Sequence, residues 1–212
     1  MVRAAARLAA FAAAMLGAAD PALACNGDRL LFEDDFTTHD TTLWGKPDKS
    51  FEIKGGRAQF HPDANHLWWS WNTIFAFDDA DICVTIALIE TTDPTRSYGG
   101  LMFWVKDNDN FYSLDIASNG YFQVRRKLAG KWTPGILPWT QTDALKHGPN
   151  QPNKVRVSVK SQTVAVQIND TEVARFRAQP PDHPSFIGLL AASAAAKADT
   201  WNFSDLKVTD VK

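Results

Sequence analysis

Apolar and polar positions alternate most regularly between Ser97 and Trp132. The stretch SYGGLMFWVKDNDNFYSLDIASNGYFQVRRKLAGKW predicts three consecutive antiparallel strands, at 101–106, 111–117 and 121–127, joined by two tight turns. Side chains alternate across a strand. Leu101, Phe103 and Val105 therefore share one face, and Met102, Trp104 and Lys106 the other. Tyr112, Leu114 and Ile116 form the apolar set of the second strand, with Phe111, Ser113 and Asp115 opposite. In the third, Phe122 and Val124 oppose Tyr121, Gln123 and Arg125. Aligning the apolar sets pairs Val105 with Tyr112 and Ile116 with Phe122, because a one-residue slip would bury the polar set. The first pairing leaves a 107–110 loop. The second leaves Ser118-Asn119-Gly120, with the glycine suited to the left-handed position of a three-residue hairpin.

This register places Trp104, Ser113 and Arg125 in one row of the outer face and Met102, Asp115 and Gln123 in the next. An aromatic plate beside a hydroxyl, a carboxylate, an amide and a guanidinium suits a sugar or another polar ligand. The same groups also make an ordinary half-buried sheet face with a cross-strand ion pair. In Leu67-Trp68-Trp69-Ser70-Trp71, Trp69 and Trp71 share a face and Trp68 takes the other. Trp71 joins the candidate ligand-binding residues Trp104, Ser113, Asp115, Gln123 and Arg125 on that basis. Core packing is the competing explanation for both tryptophan faces.

Elsewhere the chain predicts short strands between turn signals. These are 30–36, a hairpin at 51–60 around Gly55-Gly56, 81–90, 154–160, 163–168, 172–177, 186–191 and 201–211. In the last of these, Phe203 falls on one face and Leu206 and Val208 on the other. The 133–153 stretch, rich in proline and glycine, reads as a long loop. No long helix is predicted after residue 24. Many short strands and few helices predict an all-β, antiparallel two-sheet jelly-roll sandwich occupying 25–212 as a single domain.

The first 24 residues carry a different pattern. Arg3 and Arg7 precede an Ala/Leu/Phe/Met run over 8–19, followed by Ala22-Leu23-Ala24, a small-x-small cleavage site. They predict a secretory signal peptide cut before Cys25, and hence a periplasmic or secreted protein. Ala22-Leu23-Ala24-Cys25 also loosely resembles a lipoprotein box, which makes lipid anchoring at Cys25 the alternative. An oxidising compartment favours a disulfide between Cys25 and Cys83, the only two cysteines. A buried free thiol is the other reading of Cys83. No other stretch is apolar enough to form a transmembrane segment.

The net charge of −2 leaves no basic footprint for nucleic acid. Eight tryptophans in 212 residues call for a large core or a stacking surface. The five histidines have no tight metal spacing, and neither a nucleophilic serine motif nor a phosphate loop is present. Asp107 and Asp109 could offer oxygen ligands to Ca²⁺, yet turn acids also serve as solvated caps. No cofactor is predicted.

The runs GGLMFWVKDNDNFYSLDIASNGYFQVRRKLAGKW, NKVRVSVKSQTVAVQINDTEVARF, GLLA and WNFSDLKV resemble the concanavalin A-like, laminin-G-like jelly-roll superfamily of bacterial secreted domains. The resemblance covers most of residues 30–210 and carries no individual site residue over. It implies an exposed concave sheet that binds saccharide, since the superfamily holds lectins, carbohydrate-binding modules, glucanases and sugar hydrolases. Its glucanases look like Glu-x-Asp-x-Glu on one strand, and this chain lacks that run. The leading expectation is therefore an exported, non-catalytic carbohydrate-binding domain, monomeric, with an oligo- or polysaccharide partner. A glycoside hydrolase, or an enzyme resembling the 3-keto-disaccharide hydrolases, is the alternative, and a protein-binding structural or adhesion module is the third.

Overall fold

The computed structural model describes residues 25–212 except Thr92, Pro94, His183, Ala195 and Ala196. The expected signal peptide lies outside the described residues. The strands are β1 (Leu30–Asp34), β2 (Phe51–Ile53), β3 (Ala58–Phe60), β4 (Leu67–Trp71), β5 (Ala80–Glu90), β6 (Tyr98–Asp107), β7 (Asn110–Ala117) and β8 (Tyr121–Leu128). They continue as β9 (Lys131–Trp132), β10 (Leu137–Gln141), β11 (Asn153–Lys160), β12 (Thr163–Ile168), β13 (Thr171–Arg177), β14 (Phe186–Ala192) and β15 (Thr200–Thr209). The one helix among the described residues, α1 (Thr41–Trp44), is a single turn whose first amides are capped by Asp40.

Two antiparallel sheets form the jelly-roll sandwich. The eight-stranded sheet runs β13-β12-β11-β5-β15-β3-β2, with β1 also paired to β15. The seven-stranded sheet runs β10-β8-β7-β6-β14-β4, with β9 also on β8. Between them lies one core, built from alternate residues such as Ile82, Val84, Ile86 and Leu88 of β5 and Leu101, Leu114 and Val124 of the facing sheet. The glycine pair Gly99-Gly100 makes room on both faces of β6. A Cβ on Gly99 would come within 2.6 Å of the Trp201 ring in the core, and one on Gly100 within 2.6 Å of Asp115 Oδ1 on the outer side.

The β7–β8 register is the one the alternation predicts: Ile116 faces Phe122, and Gly120 takes φ 91° in the turn. The β6–β7 register differs. Phe103, not Val105, faces Tyr112, and Asp107 faces Asn110 across a tighter turn. The two additional residues of β6 are absorbed in a bulge where Trp104 adopts φ 49°. The bulge turns Trp104 inward, against Phe103 and Tyr112 with ring centroids 5.8 and 5.3 Å away. Trp104 is thus a core residue, and its expected place on the outer face is corrected. A similar left-handed residue, Asp205 at φ 55°, lies at the β15 bulge and returns Leu206 and Val208 to the core beside Phe203. The expected split of these three between faces is corrected for the same reason. The 133–153 stretch also contains a strand, β10, which the proline-rich sequence hid.

Cys25 and Cys83 are disulfide-bonded, with Cα atoms 5.8 Å apart. The bond fixes the start of the described chain to the outer face of the eight-stranded sheet. Asn26 N–H reinforces it by donating to Asp81 Oδ2 at 2.6 Å. The Cys25 sulfur is committed to Cys83 in this structure. Sequence separation across the bridge is 58 residues; the chain-entropy model assigns such a loop about 4 kcal/mol. Cys25→Ala/Cys83→Ala is expected to lower the melting temperature by about 10 °C. Scanning calorimetry checks this, and added reductant should shift the wild type but not the variant.

Candidate functional site

The seven-stranded sheet is curled, and its outer face is concave. Tyr98 on β6 and Trp139 on β10 are separated by β7 and β8, roughly 14 Å of sheet when flat. Their rings nevertheless meet at 5.7 Å over the outer face. In the hollow, Gly100 pairs with Asp115 and Asp115 with Gln123, while Met102 pairs with Ser113 and Ser113 with Arg125.

Asp115 is 0 % exposed although it stands on an outer face. Arg125 Nε donates to its Oδ2 at 2.6 Å, and Gln123 Nε2 donates to the same oxygen at 2.9 Å. Asp115 Oδ1, Arg125 Nη2 and Ser113 Oγ are buried and have no hydrogen-bond partner. Burial is the largest single influence on Arg125 and acts to lower its pKa, but the Asp115 and Tyr98 charges and hydrogen bonds together outweigh it and the net shift is upward. The guanidinium carbon lies 4.0 Å from the Trp132 ring centre and 4.9 Å from that of Tyr98, both cation–π distances. Burial first, then the Asp115 charge, push the Tyr98 phenol above its ordinary value, with Arg125 opposing.

The aromatic cover is continuous. Trp69 meets Phe111 at 6.0 Å, and Phe111 meets Trp132 at 5.5 Å. Trp132 then lies on Arg125, Arg125 on Tyr98, and Tyr98 on Trp139. At the β4 end, the indole N–H groups of Trp69 and Trp71 both donate to Asn108 Oδ1 at 3.0 Å. Lys127 Nζ stands 4.8 Å from the Trp69 ring and donates to the Asn108 carbonyl at 2.8 Å. A recess of about 370 Å³ opens there, lined by Leu67, Trp68, Trp69, Asn108, Asp109 and Lys127. Trp132 and Trp139 are 38 % and 41 % exposed.

Of the six residues singled out from the sequence, the fold brings Ser113, Asp115, Gln123 and Arg125 together and places Trp71 on the same face. Trp104 is on the other side of the sheet. Asp115, Ser113 and Gln123 form the buried floor, and Arg125 links that floor to the rings above it. Sequence reasoning passed over Trp69, Tyr98, Asn108, Lys127, Trp132 and Trp139 as members of the hollow. Parity alone could have found Tyr98, since it alternates with Gly100 and Met102.

Acids suited to glycoside cleavage are sparse here. Asp107 and Asp115 are the only carboxylates in the strands of this sheet. Asp107 stands seven residues along β6 from the Gly100 opposite Asp115, roughly 20 Å away. It accepts from Asp109 N–H and Asn110 Nδ2 in the turn. Paired catalytic carboxyls sit about 5–9.5 Å apart.

No family model matches this sequence, and no curated protein matches it. Solved structures do. A prokaryotic β-1,3-1,4-glucanase (lichenase) from a mouse hindgut metagenome superposes with TM-score 0.63 at 13 % identity, over 85 % of this chain and 99 % of that one. The potassium-bound Emp46p carbohydrate recognition domain gives 0.64 at 13 % identity, over 87 % and 97 %. The carbohydrate-binding module CBM66 from Bacillus subtilis gives 0.56 at 15 % identity, over 72 % and 86 %. The chain has the concanavalin A-like jelly-roll fold that these lectin, binding-module and glucanase domains share.

Two measurements check the electrostatics of the hollow. Arg125→Met strands a buried carboxylate and is expected to cost about 3 kcal/mol in urea unfolding, most of it recovered in Asp115→Leu/Arg125→Met. An unfolded chain ionises Tyr98 first as the pH passes about 10, so stability is held below that pH and falls above it. Tyr98→Phe should flatten the fall in part. Tyr112, whose phenol burial also raises, supplies the remainder.

Proposed function

We propose that the protein is an exported, non-catalytic carbohydrate-binding domain, a single monomeric jelly roll over 25–212 released from its 1–24 leader. It holds an oligo- or polysaccharide in the concave hollow. The observation that carries this reading is the unbroken arc from Trp69 to Trp139 laid over a fixed polar floor. Sugar rings present apolar C–H faces to aromatic plates and hydroxyls to amides and cations. Trp132 and Trp139 offer the plates, while Arg125, Asn108 and Lys127 offer the polar contacts. The floor of Asp115, Gln123 and Ser113 positions Arg125. The likeness in fold to binding modules and recognition domains supports the same class of ligand. The leader pattern and the disulfide support the oxidising location.

The wide separation of Asp107 from Asp115, and the pairing of Asp115 with Arg125, favour binding over hydrolysis. Affinity electrophoresis in gels containing β-glucan, xylan, mannan or inulin tests the reading. At least one polysaccharide should retard the wild type, and Trp132→Ala and Trp71→Ala should each weaken retention about tenfold. Release of reducing ends from the retained polysaccharide, lost in Asp115→Asn, would instead favour the hydrolase. Retention unchanged in both tryptophan variants would remove the hollow as the site.

A further inference from the structure

The hollow has an open corner where β4 and β6 begin and β14 ends. Leu67 pairs there with Ala192, and Ala192 with Tyr98. Beside this row lies a recess of about 190 Å³, whose lining includes Asn65, His66, Arg96, Tyr98 and Ser193. Tyr98 belongs both to the recess and to the aromatic arc, so the two are continuous. Leu67 likewise lines this recess and the one beside Trp69.

Charge sets the corner apart. Among the described residues no carboxylate lines the recess, and the exposed Arg96 has no ion-pair partner. The acids of the flanking loops are engaged elsewhere. Lys49 Nζ donates to Asp63 and Lys197 Nζ to Glu90, both at 2.6 Å. Asp199 Oδ2 accepts from Ala194 N–H at 3.1 Å. The Thr95 hydroxyl and N–H both donate to Asp93 and hold its carboxyl below the ordinary range, with Arg96 a lesser influence. The whole sheet leans the same way. Its strands carry Lys106, Arg125, Arg126, Lys127 and Lys131 against Asp107 and Asp115, in a chain whose net charge is −2. A cationic face on such a molecule draws anions towards it.

The chemistry of the recess narrows which anion fits. The guanidinium is a planar fork of N–H donors that matches a carboxylate with two parallel bonds. His66 donates Nδ1–H to the Ala64 carbonyl at 2.8 Å, which leaves its Nε2 uncommitted. Asn65 adds an amide, with both donors and an acceptor for hydroxyls. A neutral sugar would leave Arg96 unused, and a bare inorganic anion would leave the Tyr98 ring and the amide unused. We propose that this recess takes the carboxylate of a uronic acid residue, so that the glycan in the hollow is an acidic polysaccharide or one bearing uronate branches. This rests on the carbohydrate-binding reading and names the ligand class of the same site.

The test measures binding of polygalacturonate and of glucuronoxylan by calorimetry, each in its native and its carboxyl-reduced, neutral form. Salt is kept at about 0.15 M, where exposed charges more than about 8 Å apart are screened. At least one native polymer should bind the wild type about tenfold more tightly than its reduced form. Arg96→Gln should erase that difference and leave affinity for the reduced form unchanged, while Arg96→Lys restores part of it. Position 96 is an exposed loop site, so both variants should melt with the wild type. Trp132→Ala should weaken native and reduced forms alike. Native and reduced forms binding equally, or an acid preference that survives Arg96→Gln, overturns the recess and leaves the hollow standing. Polyglutamate, which carries carboxylates without sugar rings, should not bind; if it matches the native polymers, the corner reads charge alone and the uronate falls. An Arg96-dependent acid preference untouched by Trp132→Ala keeps the recess and overturns the arc. A wild type that binds neither these polymers nor the neutral ones overturns both.

Discussion

A carboxylate with no solvent contact, standing on the open side of a sheet, constrains everything around it. A buried charge is costly unless it is paired, and Arg125 at 2.6 Å provides the countercharge to Asp115. A guanidinium kept that close needs its own cover, and Trp132 and Tyr98 supply it. The carboxylate also needs space beneath it, which only a glycine at position 100 leaves. Sheet curl, the glycine pair and the aromatic arc are therefore linked parts of one solution. Removing the arginine alone strands a charge, whereas removing both ions leaves a packable apolar site.

Much of this was legible in the chain. The strict alternation of 111–117 and 121–127, with Gly120 between them, determines both the β7–β8 register and the Asp115–Gln123 and Ser113–Arg125 rows. Cysteine count and export context pointed to the bridge that the fold contains. The failures share a physical cause. Parity reasoning assumes one residue per pleat, and a residue in the left-handed region breaks that count. Trp104 and Asp205 both do so, and neither is a glycine, so no local signal marks them. Alternation alone therefore puts Trp104 on the wrong face and splits Leu206 and Val208 from Phe203. The strand β10 escaped notice because Pro138 sits inside it. At a sheet edge the absent N–H of a proline is tolerated, and β10 is an edge strand.

The two outer faces solve the problem of polar residues in different ways. The concave face buries charge under aromatic rings and lets Arg125 connect floor and cover. On the eight-stranded sheet, one end is closed by the Cys25 segment over Asp81, with every Asp81 oxygen engaged. The other end is left open around Asn202.

The distribution of indoles has an optical consequence. Trp44, Trp104 and Trp201 are buried at 3 %, 5 % and 1 % exposure, so their emission is insulated from anything that settles on the surface. Trp132 and Trp139 are partly in water, and the former lies directly on a cation. A ligand placed in the hollow would change the polarity around these fluorophores against a constant interior background, so the indoles offer an unlabelled gauge of whether anything settles there.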